Sequence, residues 1–225
     1  MHFHLPKPLH GWRAFAGEVG IIVLGVLIAL AAQQAVESWQ WRSKVAVVRR
    51  SLIGELANDR ARWDRDVAAA RCALGDADRI DAWMHDGANG PAPNVPSLRS
   101  GNLLSMHSAN WSLAAGSEAL EHFPLEEQLQ FAALYDGIAH RQTTIDSASN
   151  LIDRTRTLAP LAVDSQGRRE LSEALGALRA QLNSLLDNVS YMESHFDAVG
   201  VESDQSDFAR ELPTTGCAET ARGAA

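Results

Sequence analysis

From residue 19 to residue 32 the chain carries no polar side chain. Gln33 and Gln34 follow, then Ala35 and Val36, and residues 14–17 extend the apolar stretch on the other side of Glu18. A helix needs about 20 mainly apolar residues to cross a bilayer's hydrocarbon core. A core helix of a soluble domain would show a polar face, and this stretch shows none. Tryptophans flank it, Trp12 before and Trp39 and Trp41 after, as an interfacial aromatic belt requires. Trp12 and Trp39 stand 27 residues apart, about 40 Å of helix, which matches a bilayer with its headgroup layers. The expectation is a short tail over 1–13, a membrane helix over 14–36 and a domain beyond it.

A cleaved signal peptide is the competing reading. Ala29-Leu30-Ala31 has the small-x-small form of a cleavage site. The apolar stretch is longer than a signal peptide needs, and no turn-forming residue precedes that site. The sequence after it continues as helix, so an uncleaved anchor is expected. Basic residues leave the orientation nearly balanced. Lys7 and Arg13 precede the span, while Arg42, Lys44, Arg49 and Arg50 follow it.

Setting aside Lys7, Arg13 and Glu18 from the 20 basic and 28 acidic residues leaves 18 against 27, a net charge of −9 after the span. So acidic a domain is a poor partner for nucleic acid. Only residues 42–50 are locally basic, enough to touch anionic headgroups, although a solvated helix end is the commoner explanation. About 190 residues suffice for one domain with its own core.

That domain reads as all-α: the membrane helix continues into an antiparallel three- to four-helix bundle over 37–200. Val45, Val48, Leu52, Leu56, Trp63, Val67, Ala70 and Leu74 recur at helical steps, and Ile80, Trp83 and Met84 extend the stripe. Residues 87–107 form a loop, since 87–101 hold three prolines and three glycines. A short helix starts at Ser108 and reaches about Leu120. Pro124 opens a long helix with Glu126 and Glu127 in its first turn; its stripe is Leu134, Ile138, Ile145 and Ile152, and it stops before Pro160. The last helix steps without a fault through Leu171, Leu175, Leu178, Leu182, Leu185, Val189, Met192, Phe196 and Val199. This alternation of four and three is an a/d seam. A coiled-coil dimer shares the pattern; two other striped helices in the chain favour an intramolecular bundle. Asp164 or Ser165 caps its start and Gly200 ends it. Residues 201–225 lack periodicity and read as a largely irregular tail.

The two cysteines, Cys72 and Cys217, are far apart in sequence. If the first helix rises from the membrane, the helix from Pro124 descends and the last helix rises again, Gly200 ends near Cys72. A disulfide fits that threading, and disulfides persist in oxidising compartments such as the periplasm. The expected placement is therefore a bacterial inner membrane, with the N-terminus cytoplasmic and the bundle periplasmic.

The segment HGWRAFAGEVGIIVLGVLIALAAQQAVE resembles the N-terminus of uncharacterised bacterial single-pass membrane proteins, with a GW-x-x-F-x-GEVGIIVLGVLIAL-type anchor. A second block, NWSLAAGSEALEHFPLEEQLQFAALYDGI, is similar to a shared block further along the same proteins. The resemblance covers about half the chain. It implies an anchor-plus-domain layout and carries no catalytic residue with it.

Chemistry-bearing motifs are scarce. His2 and His4 form an H-x-H pair on the tail, and Glu118 and His122 stand one helical turn apart without a third ligand, so no metal or other cofactor is expected. No phosphate-binding loop, nucleophile elbow or H-E-x-x-H is present, and no catalytic residue is assigned. Trp63, Trp83 and Trp111 could line an aromatic pocket, but at helical spacing they more often serve the core. Within the span, Gly17, Ile21, Gly25, Ala29 and Gln33 form one ridge on which small and amide residues dominate, and Glu18 begins the next. Small residues let helices approach closely, and an ionisable group near a span suggests function. The membrane-helix contact set is thus Gly17, Glu18, Gly25, Ala29 and Gln33. The expected partners are the lipid bilayer and, through this ridge, a second copy or another membrane protein. The function read from these features is a scaffold or accessory subunit of the cell envelope, without catalysis. The alternative is a periplasmic helical bundle that senses a ligand.

Overall fold

The computed structural model describes residues 11–99 and 103–204. Among them all regular structure is helical, with no strand. The elements are α1 (Gly11–His85), α2 (Ala109–Ala115), α3 (Glu118–Glu121), α4 (Leu125–Leu158), a 3-10 turn (Ala159–Leu161), α5 (Ser165–Asp187) and α6 (Val189–Ala198). The chain divides into two compact units between Val47 and Val48.

In the first unit, α1 contains a stretch long and apolar enough to cross a membrane, and none of it is buried. Trp12 and Trp39 are exposed, as are Gly17, Glu18, Gly25, Ala29 and Gln33. Gly17 and Gly25 have no atom within 4 Å of where a Cβ would stand, so the expected ridge is open to an approaching helix. Gln33 donates to Glu37 at 2.9 Å, and the Lys44 ammonium lies 4.2 Å from the centre of the half-buried Trp41 ring.

In the second unit, α1 has a seam stricter than the stripe read from apolar residues alone. Leu52, Leu56, Asp59, Trp63, Asp66, Ala70, Ala73, Ala77 and Ile80 alternate steps of four and three, and none is more than 2% exposed. The helix passes through Gly54 and Gly75, because no proline interrupts it and its buried face outweighs two weak formers. It stops where Gly87 enters the left-handed region at φ +81°, with the amides of Gly87 and Ala88 returning to the carbonyls of Met84 and Trp83.

Ion pairs and hydrogen bonds fix the direction of each later helix. Along α4, Glu127 pairs with Arg49, Tyr135 with Glu55, and the Arg141 guanidinium lies over Trp63. Both partners advance together, so α4 runs with α1. The next helices run the other way: Arg179 of α5 pairs with Asp78 and Asp81, while Asp197 of α6 pairs with Arg60. The expected threading, with the helix from Pro124 returning toward the span, is therefore corrected. The return is made between α1 and α2, where Ser97, Leu104 and His107 meet Asp76, Asp66 and Asp59 in turn back along α1, and none of the described residues there is helical. The last helix consequently ends beside Arg60, short of the Cys72 level.

The long helix begins after Pro124 and ends at Leu158, and Leu134, Ile138, Ile145 and Ile152 are all buried. Asp164 caps α5 by accepting the Gly167 amide at 2.7 Å. Of the expected seam in the last helix, Leu171, Leu175, Leu178, Leu182, Leu185, Met192 and Phe196 are buried, while Val189 and Val199 are half-buried. One helix was expected there; two are found, broken at Asn188. The helix expected from Ser108 to about Leu120 is likewise split into α2 and α3, and Ser108 makes no side-chain cap.

Candidate functional site

Two carboxylates in the α1 seam are the least expected feature of the second unit. Asp59 and Asp66 are completely buried, and Asp76, further along α1, is 3% exposed. A helix that buries charge on its core face must find partners for it. Here the partners are backbone amides of the returning segment. Ser97 donates to Asp76 at 2.7 Å, Leu104 to Asp66 at 2.8 Å, and His107 to both oxygens of Asp59 at 3.0 and 3.1 Å. The next rung is Asn110 to Glu55 at 2.9 Å.

The residues that donate these bonds, described over 97–99 and 103–108, form a strap along α1. The amides of Ser97 and His107 meet Asp76 and Asp59, 17 residues apart on α1, about 25 Å. The described strap residues lie in no helix or sheet that would pair their amides, and carboxylates on α1 take that place. Leu98, Leu103 and Met106 are buried on the same segment, so the strap closes the core as well as binding the acids. Cross-ties complete it: Arg62 donates to the Ser105 carbonyl at 3.0 Å, and Gln142 of α4 accepts the Met106 amide at 2.9 Å.

The electrostatics follow from burial. Asp59 is pushed up to about 7, first by loss of water, with the His107 amide opposing and Glu55 adding to the rise. Asp66 is also raised to about 7 by burial, against the pull of the Leu104 amide, Arg65 and Arg62. One oxygen of Asp66 is buried without a hydrogen bond. The His107 ring nitrogen stands 3.4 Å from Asp59, an ion pair only when the ring carries its second proton. Glu55 accepts from the Tyr135 hydroxyl at 2.8 Å, and the phenol is raised by burial and by that bond. Trp111 stacks on Tyr135 at 5.0 Å with planes 9° apart.

Arg141, 4% exposed, lies over Trp63 with its guanidinium 4.2 Å from the ring centre. It donates to the Leu185 carbonyl at 3.1 Å, in the last turn of α5, where carbonyls lose their helical partners. Arg141 thus braces the helix end at the Asn188 break. Burial lowers it to about 10, and its second terminal nitrogen has no hydrogen bond.

The arrangement can bind protons and hold backbone; it brings together no nucleophile and base. Among the described residues no group of three His, Cys, Asp or Glu side chains is placed to hold a metal ion. His2, His4 and Cys217 lie outside those residues. Trp63 and Trp83 are 20 residues apart on one helix, about 30 Å, so Trp63, Trp83 and Trp111 do not share one pocket; Trp63 is buried in the core and the other two are half-buried. Near the end of α6 an open cleft of about 430 Å³ is lined by Arg60, Asp64, Asp197 and residues 200–203. There Ser203 donates to Asp64 at 3.0 Å and the Asp204 amide to the Ala57 carbonyl at 3.0 Å.

Sequence reasoning passed over Asp59 and Asp66 because it traced apolar residues only. The signal was present: the apolar stripe jumps seven residues from Leu56 to Trp63 with Asp59 in the vacant position, and after Trp63 it steps to Val67, while Asp66 beside it is the residue in seam register with Asp59 and Ala73. No protein-family model matches the chain, and no curated protein or solved structure matches it.

Proposed function

We propose that this protein is a single-pass inner-membrane scaffold or accessory subunit, its helical bundle held on the periplasmic side by the N-terminal part of α1. One observation carries the reading: a single helix, Gly11–His85, contains both a wholly exposed apolar stretch of membrane-spanning length and a strictly buried bundle seam. Exposed apolar surface of that extent is costly in water and stable in lipid. The resemblance to bacterial single-pass anchors agrees with it. The finer architecture proposed is a bundle in which α1 and α4 run together and α5 and α6 return against them.

A disulfide between Cys72 and Cys217 belongs to the same reading. Asp64, bonded by Ser203, lies eight residues before Cys72 on α1, about 12 Å, and 13 residues separate Asp204 from Cys217. A chain of that length reaches about 40 Å when extended, so the changed threading still permits the bond.

The membrane helix is the proposed contact with a second copy or a partner protein, through Gly17, Glu18, Gly25, Ala29 and Gln33. Gly25→Leu adds bulk where helices would approach, and Ile22→Leu is the volume-conserving control. Crosslinking and co-purification from detergent should lose the partner in Gly25→Leu and keep it in Ile22→Leu. Glu18→Gln tests the charge. If all three variants keep the same partners as the wild type, the segment is a passive anchor and the scaffold reading fails.

A further inference from the structure

We propose that the N-terminal end of α4 docks on the α1 stretch 42–50 of a second copy of this chain held in the same membrane. The proposal rests on the reading of α1 as a membrane anchor.

The docking surface is an apolar helix face that its own bundle leaves uncovered. Leu125 and Leu129 stand one turn apart on α4 and are 69% and 61% exposed. The buried residues of α4, among them Phe131, Leu134, Ile138 and Arg141, lie on the opposite side of the helix. Exposed acids border the leucines: Glu126 beside Leu125, and Glu118 and Glu121 on α3 just before it. From residue 117 to residue 127 the chain has four acidic residues and no lysine or arginine. Leucines set among carboxylates repel an anionic headgroup and suit an apolar segment set among cations.

The α1 stretch has that composition. Residues 42–50 hold Arg42, Lys44, Arg49 and Arg50 and no acid, and Val47 among them is 60% exposed. Within one chain the two runs are joined by Arg49, which pairs with Glu127 and lies over the Phe123 ring. Consecutive helical residues point about 100° apart, so Arg50 and Glu126 are turned out of that pair and exposed. Arg42, Lys44 and Arg50 on one run, and Glu118, Glu121 and Glu126 on the other, are exposed and in no ion pair among the described residues. Lys44 instead covers the Trp41 ring. The unspent charges of the two runs are thus equal in number and opposite in sign.

The Arg49–Glu127 pair also fixes their level. Both runs stand 13 residues along α1 from Val36, about 20 Å of helix. Copies anchored by the same span share that level, whichever side of the membrane the bundle occupies. The acidic run of one copy therefore meets the basic run of the next, a head-to-tail contact. Exposed ion pairs are weak singly, but chains confined to one bilayer meet at a high effective concentration, and here the pairs surround an apolar centre.

Two charge reversals in the full-length chain read the contact. One variant carries Arg42→Glu with Arg50→Glu, the other Glu121→Arg with Glu126→Arg. Differently tagged copies are co-expressed in bacteria and co-purified in mild detergent at low ionic strength, where exposed charges are least screened. Wild-type copies should co-purify. Each variant paired with itself should fall about tenfold, because like charges then face each other, and the two variants together should recover about half the wild-type yield or more. Equal yields in every combination overturn the docking, and the basic run then meets lipid headgroups or water. A mixed pair no better than either variant alone overturns it too. Carbodiimide coupling in membranes needs no variant: Lys44 is the only lysine after residue 7, and it should couple to Glu118, Glu121 or Glu126 of an isotopically distinct copy. Coupled peptides confined to single chains overturn the docking. Failure of the anchor is read separately, since the wild-type chain would then leave the membrane on carbonate extraction.

Discussion

Asp59 and Asp66 sit where a leucine would make the seam ordinary, and their cost has a sign. Both carboxyls are raised from 3.8 to about 7 in the folded chain. Between those values the folded state holds more protons than the unfolded state, so stability declines as pH rises through the window and levels off above it. Urea unfolding at pH 5 and pH 8 should show the chain more stable at pH 5, and Asp59→Asn should narrow the difference. A chain more stable at pH 8 would mean that the amide bonds outweigh burial. Arg141 is the third residue of this kind, a cation bracing a carbonyl against an indole. Arg141→Ala removes the stack, strands the Leu185 carbonyl and leaves a cavity, so it should destabilise by about 2–4 kcal/mol. A loss below about 0.5 kcal/mol, within the usual range for surface substitutions, would show that the helix break needs no brace.

At the scale of elements, legibility in the sequence depended on what fixes each one. The last helix was readable because its seam is apolar throughout, and seven of its nine seam residues are buried. Its break at Asn188 was not, because the seam register continues across it and the group that meets the Leu185 carbonyl there comes from another helix. The α1 seam was half readable: apolar residues marked the face, while the aspartates that complete the register looked like surface residues. Two substitutions test these elements. Leu182→Asp forces a carboxylate into the fully buried centre of α5 and should unfold the bundle, a loss above about 4 kcal/mol. Unchanged circular dichroism and melting would contradict the seam. A Cβ on Gly167 would stand 2.6 Å from the Leu161 carbonyl oxygen, where the 3-10 turn meets α5. Gly167→Ala should therefore cost about 1–3 kcal/mol despite the better helix propensity of alanine. A more stable variant would show that the turn moves freely.

For the whole molecule, the threading was the least legible feature. Period and punctuation identify helices, and the default for neighbours joined by a loop is to alternate in direction. That default fails here because amides between α1 and α2, those of Ser97, Leu104 and His107, pair with successive side-chain carboxylates back along α1. Such a path leaves no periodic trace; its trace is a set of acids on the opposite element. Residue types read singly did not expose it, whereas α1 read as a heptad would have. The stretch long and apolar enough to cross a membrane, conversely, is visible at once, because nothing but length and apolarity defines it. The account as a whole rests on the claim that this stretch spans a bilayer and stays attached to the bundle. Alkaline carbonate extraction of bacterial membranes tests that claim most directly. The account predicts that the full-length chain stays in the pellet, while a chain beginning at residue 37 is released. Recovery of the protein in the supernatant, above all at a length shortened by cleavage after Ala31, would contradict it.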